Sequence, residues 1–197
     1  MLNCDYTGNT SYKFYNSCCI DNDHINTLGQ YSPDKIEKVL SCFADTNKWT
    51  EFFLPEIVDI PVQKPDMEGV LEIHSCIDII SQRVIKTPVV NGYTQAGNTV
   101  LGENIPNSEC TNLTGRKLII EGLLKQKIIY TAAVDTQSIH SASFSVPFST
   151  FIIIEKDTPL SQKFRITPYI EDIFACRLSE RSVFKNTTIF IKASKIC

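Results

Sequence analysis

The sequence predicts a mainly β protein: an antiparallel β-sandwich, jelly-roll-like, with one short N-terminal helix and an extended N-terminal arm. Three observations carry this. Residues 1–31 have no apolar period of either kind; apolar residues at helical spacing occur once, over residues 32–45; and from Trp49 onward β-branched and aromatic runs are punctuated by Pro, Gly and Asn.

The arm, 1–31, is rich in Asn, Tyr and Thr and is expected to be extended or poorly ordered alone, so that residues 32–197 form the folded domain. Its tyrosines Tyr6, Tyr12, Tyr15 and Tyr31 suit docking onto another protein better than stacking on a sugar. Ser32-Pro33-Asp34 then supplies an N-cap, a proline at the first helical position and an early acid, and Ile36, Val39, Leu40 and Phe43 make one amphipathic face. This helix is expected to end near Asp45.

The strands follow in order. Glu51–Ile60 is the first, and Leu71–Ile79 alternates apolar with polar residues and continues to Ile85 before Pro88. Residues 91–115 read as a long loop or a pair of weak hairpin strands. Lys117–Ala132 alternates again, with Gly122 suggesting a bulge. Ser143–Glu155 places Phe144, Val146 and Phe148 on one face, and its run Phe151-Ile152-Ile153-Ile154 predicts burial on both sides. Phe164–Leu178 and Ser182–Ala193 complete the set, joined by a hairpin around Ser179-Glu180-Arg181.

A chain of 197 residues, 43% hydrophobic and 21% charged, has the composition of one globular domain with a real core. Its net charge of −3, without a local Lys/Arg cluster, argues against nucleic acid. No apolar run approaches the ~18 residues that span a bilayer, and the start Met1-Leu2-Asn3-Cys4-Asp5 lacks the regions of a signal peptide, so a cytoplasmic origin and no membrane are expected. The triplets at Asn9, Asn112 and Asn186 then read as chance matches to the glycosylation pattern.

Candidate chemistry is thin. His74-x-Cys76, with His140, Cys110 and Cys176, is the nearest approach to a metal set, but no tight Cys pair of the structural-zinc kind occurs, and no metal or cofactor is expected. Cys110 and His140 have no nucleophile signature around them, and no catalytic residue is assigned. Glu171 and Asp172, adjacent on a strand, point to opposite faces, which suits edge protection or a salt bridge with Arg165 or Arg177 better than acid–base work.

Eight cysteines fit poorly with a reducing cytoplasm. Cys42, Cys76 and Cys176 lie in apolar helix or strand context, where packing as thiols accounts for them. Cys4, Cys18, Cys19 and Cys197 lie in tails and Cys110 in a polar loop, where packing accounts for nothing. The vicinal Cys18-Cys19 pair closes a strained ring if bridged to itself. Each sulfur is left with three kinds of partner: a cysteine of the same chain, one of a neighbouring chain, or a metal.

Five ordered segments carry a resemblance: Ile60-Pro61-Val62-Gln63-Lys64-Pro65-Asp66-Met67-Glu68, Arg83-Val84-Ile85-Lys86-Thr87-Pro88, Thr111-Asn112-Leu113-Thr114-Gly115-Arg116-Lys117-Leu118, Val146-Pro147-Phe148-Ser149-Thr150-Phe151 and Pro168-Tyr169-Ile170-Glu171-Asp172-Ile173-Phe174. From about Trp49 to Ser194 the chain resembles the SPOCS-domain family of clostridial spore-coat-associated proteins. The Cys-Cys arm is similar to the N-terminal connectors of endospore appendage subunits, in which cysteines cross-link stacked protomers. There is no segment like the LysM wall-binding module found in some of the family.

The resemblance implies a β-rich assembly or adaptor domain without catalytic residues. It turns the tail cysteines into candidates for intersubunit disulfides: Cys4, Cys18, Cys19, Cys110 and Cys197. The expected function is a non-enzymatic, self-assembling subunit of a spore-surface layer or appendage fibre, a homo-oligomer or polymer held by arm docking and contacting other spore-coat proteins. It would be made in the mother-cell cytoplasm, deposited on the spore surface and oxidised after lysis. The rival expectation is a monomeric adaptor for one coat morphogenetic protein, its thiols reduced.

Overall fold

A computed structural model describes residues 9–11, 25–41, 48–89, 93–95, 98–100 and 114–196. The strands are β1 (Asn9–Ser11), β2 (Asn26–Leu28), β3 (Trp49–Asp59), β4 (Met67–Val89), β5 (Tyr93–Gln95), β6 (Asn98–Val100), β7 (Thr114–Ala132), β8 (Ile139–Ile153), β9 (Phe164–Arg177) and β10 (Ser182–Lys195). One helix, α1 (Pro33–Ser41), stands between β2 and β3.

They form a β-sandwich. One sheet has the order β1-β2-β4-β7-β8, the other β3-β10-β9, and β5 and β6 make a separate hairpin. The long neighbours pair antiparallel, while β2 runs parallel to β4. Alternation sends one face of each long strand inward. Ile73, Leu124, Ile128, Tyr130, Ile173 and Val183 fill one end of the core, and Leu118, Ile120, Ile152, Phe164, Ile189 and Ile191 the other. Burying side chains of this size stabilises by about 1.5–3 kcal/mol each.

The long edge strands each carry one proline: Pro55 in β3, Pro147 in β8 and Pro168 in β9. The central strands β7 and β10 carry none. β4 does not stop before Pro88 as expected but runs through it to Val89; the proline sits at a register shift against β7, well beyond the residues 72–74 that β2 covers. Proline cannot donate to a ladder, so its place is where a strand has only one neighbour.

Residues 25–31, within the segment read as an arm, pack against both sheets. β2 extends the first sheet beyond β4, and Ile25 enters the core. Gln30 then bridges to Ile170 of β9, and Tyr31 N–H donates to the Ile170 carbonyl at 2.8 Å. Gln30 is 1% exposed; its Nε2 donates to the Glu171 carbonyl at 2.8 Å, and its Oε1 accepts from the Thr27 hydroxyl at 3.0 Å. Gly29 has φ +98°, and a Cβ there would lie 1.8 Å from the Ser75 carbonyl oxygen. Only glycine allows so close an approach in that conformation. The N-terminus of α1 is closed by the Ser32 carbonyl, and Ile36 seats the helix on Tyr169 and Phe190, on the outer face of the three-stranded sheet.

Two local expectations need correction. Gly122 is not a bulge: the register shift lies opposite it in β4, between Ile79 and Ser81, while a Cβ at Gly122 would meet the Phe148 ring at 2.5 Å and the Asp78 carbonyl oxygen at 2.8 Å. Phe151–Ile154 is not buried on both sides either. Ile152 and Ile154 are buried, whereas Phe151 faces outward under the Lys117 ammonium, 3.8 Å from the ring centroid.

Candidate functional site

Cys4, Cys18, Cys19, Cys110 and Cys197, the candidate cross-linking residues, lie outside the described residues, as does Cys42. Cys76 and Cys176, read as packed thiols, are both disulfide-bonded. Each alternates with core residues, Ile77 and Ala175, and so stands on the outer face of its own sheet. Two stacked sheets separate them by more than one disulfide spans, so they are not each other's partner.

His74 Nε2 lies 3.0 Å from Glu72 Oε2, and His140 Nε2 lies 3.1 Å from the Ser138 hydroxyl with its ring tilted against Tyr130. Among the described residues no three His, Cys, Asp or Glu side chains are grouped to hold a metal ion. Glu171 sits where β9 shifts register against β10, and burial, with Glu51 adding to it, raises its carboxyl above the usual range. Arg177 donates to the carbonyls of Met67 and Glu68. No helix among the described residues is long and apolar enough to cross a membrane.

Two features could do chemistry or recognition. The first is the outer face of β3. Its inward side holds Phe52, Leu54, Glu56 and Val58, while Trp49, Phe53 and Ile57 point outward and are 48%, 66% and 62% exposed. Behind them on the same face Phe184 and Phe174 meet edge to face at 6.1 Å, and Trp49 stacks on Phe190 at 5.6 Å. Glu51 and Asp59 alternate with them on this face, and the aromatic and aliphatic side chains gathered there are the composition of a protein-binding surface.

The second feature lies inside. Glu56 of β3, Lys185 and Thr187 of β10 and Gln126 of β7 point into the core from both sheets, with Lys185 fully buried and Gln126 4% exposed. Glu56 Oε1 accepts from Gln126 Nε2 at 2.5 Å and pairs with Lys185 Nζ at 3.2 Å. Nζ also donates to Thr187 Oγ1 at 2.6 Å. Burial drives the Lys185 ammonium down to about 8 against the pull of Glu56. Glu56 Oε2, Gln126 Oε1 and the hydroxyl of Ser75 are buried without a hydrogen-bond partner. Sequence reasoning missed this cluster because β10 mixes polar and apolar residues on both faces, so its pattern does not tell which side is inward.

Residues 99–177 match the family model for the SipL, SPOCS domain. The similarity is to a sporulation-related family and covers less than half of the 197 residues. Within it fall the Pro-Phe-Ser and Pro-Tyr-Ile-Glu-Asp segments and the Arg-Lys-Leu strand; the Lys-Pro-Asp and Arg83–Pro88 segments precede it. No curated protein and no solved structure matched the chain.

Proposed function

We propose that the protein is a structural rather than catalytic component of a sporulating cell, a self-assembling subunit of a spore-surface layer or appendage fibre. Neighbouring copies pack through the outer face of β3 and are then joined by disulfides from those of Cys4, Cys18, Cys19, Cys110 and Cys197 that are not taken up by Cys76 and Cys176 within the chain. The observation that carries this reading is the exposed row Trp49, Phe53 and Ile57 on a strand whose other face is core. The SPOCS-domain similarity supports the sporulation context, and the disulfides at Cys76 and Cys176 support an oxidising destination.

A second copy fits the face better than an unrelated partner, because it brings the cysteines the cross-links need. Face packing also fits better than strand addition, given the prolines in β3, β8 and β9.

The test is light scattering with non-reducing electrophoresis of the full chain. Wild type under oxidant should give large species and a ladder that reductant collapses. Phe53→Ser with Ile57→Ser should give monomer and no ladder. Replacing with serine those of the five cysteines that peptide mapping of unreduced monomer does not find bonded to Cys76 or Cys176 should leave assemblies that denaturant alone takes apart. Wild-type protein that stays monomeric at high concentration, oxidised or reduced, would reject the proposal in favour of an adaptor.

A further inference from the structure

A buried lysine, a buried amide and one carboxylate oxygen shared between their two nitrogens have an evident use. Both Lys185 Nζ and Gln126 Nε2 contact the same atom, Glu56 Oε1. General acid–base catalysis asks for this placement: one group within hydrogen-bond reach of the proton it removes and of the atom that receives it. We propose that Lys185 and Gln126 form a self-catalysed intramolecular isopeptide bond, with Glu56 as the proton carrier, joining β10 of one sheet to β7 of the other.

The step balances within the chain. Glu56 takes a proton from the Lys185 ammonium, and the neutral amine attacks Cδ of Gln126. A new Nζ–Cδ bond forms, and the Cδ–Nε2 bond breaks. Nζ gives up a second proton during the attack, which Glu56 passes to Nε2, so that the leaving group is ammonia; ammonia then removes the proton held by Glu56 and departs as ammonium. No oxidant, metal or cofactor enters.

The surroundings favour each part. The cluster is flanked by Val183 and Ile189 on β10 and by Leu124 and Ile128 on β7, which keep water from competing for the amide. Burial has already lowered the ammonium to about 8, making the free amine accessible. Gln126 Oε1, where negative charge develops, has no donor in place, and the partnerless buried hydroxyl of its cross-strand neighbour Ser75 has to turn to it to supply one. Thr187 Oγ1 holds Nζ on the other side. Fixed partners of this kind replace the entropy loss of bringing two reactants together.

The full chain, purified, reduced and alkylated, decides the matter by intact mass and tryptic mapping. The expected result is a mass one ammonia below that of the sequence with its eight cysteines alkylated, no cleavage after Lys185, and one branched peptide containing both Lys185 and Gln126. Glu56→Gln should restore the full mass and the cleavage; if that variant does not fold, Gln126→Met should show cleavage after Lys185. Wild-type protein at the full alkylated mass and cut after Lys185 would overturn the proposal, and so would an ammonia deficit mapped to any other residue.

Discussion

Arg181 and Asp66 form an ion pair that ties the β9–β10 turn to the connection between β3 and β4. The same guanidinium donates to three carbonyls of that connection, those of Ile60 at 3.1 Å, Pro61 at 2.7 Å and Lys64 at 3.3 Å. One planar fork therefore holds the whole Lys64-Pro65-Asp66 segment against the end of the sandwich.

Replacing Arg181 with Met should lower stability by about 2 kcal/mol, the scale of hydrogen bonds to a charged group with some rehydration of the freed carbonyls. Arg181→Lys should recover only a minor part, because an ammonium cannot serve several acceptors in one plane. Urea midpoints of the three proteins check this, and a Lys variant equal to wild type would show that charge alone matters.

Glu155 predicts the acid limb of the stability curve. Burial pushes its carboxyl up, but the Lys48 ammonium 2.7 Å away, backbone hydrogen bonding and Lys195 outweigh it and hold the group at about 2. A carboxylate lowered on folding contributes stability that is present above its ordinary value of 4.5 and is lost as pH falls toward about 2. Half-exposure of the group keeps this contribution modest. Glu155→Gln should flatten the melting temperature against pH in that window and leave the shape above it unchanged.

Gly122→Ala should destabilise by about 1–3 kcal/mol through overpacking. The obstacle is the Phe148 ring, so Phe148→Leu added to Gly122→Ala should restore part of the loss, while Phe148→Leu alone should be harmful. A double variant no better than the sum of the singles would place the clash at the Asp78 carbonyl.

Removing residues 1–31 should cost at least about 3 kcal/mol, from the lost burial of Ile25 and the backbone and side-chain hydrogen bonds of Gln30 and Tyr31. Denaturant unfolding of the truncated protein measures it. An unchanged midpoint would make the whole segment dispensable to the fold.

Much of this architecture was legible because a sandwich buries one face of each strand, and a period of two survives in sequences such as Leu118, Ile120, Leu124 and Ile128. The prolines at 55, 147 and 168 mark strands with one neighbour, but Pro88 gives the same sign in β4, whose second neighbour β2 reaches only residues 72–74, so prolines alone do not separate edge from interior. Packing at Ile25 and Gln30 was not legible, because a three-residue strand has no measurable period and Gln30 is buried for its amide rather than for apolar surface. Gly122 misled because a missing side chain looks alike whether it serves a bulge or makes room for a ring across the strand pair. Lys185 and Glu56 were invisible as a site: each stands at an inward position where an apolar residue is the default, and only the opposing sheet reveals what they meet.

The parallel pairing of β2 with β4 has a mechanical consequence. If the N-terminal segment is tethered to a neighbour, tension on it runs along β2 and loads the β2–β4 hydrogen bonds in shear, so they must rupture together instead of peeling one at a time. The contacts of Gln30 and Tyr31 to β9 share that load across both sheets. A tug on the tether is thus met by the body of the sandwich as a unit, and the direction of pull, rather than the number of bonds, sets how much tension the joint withstands.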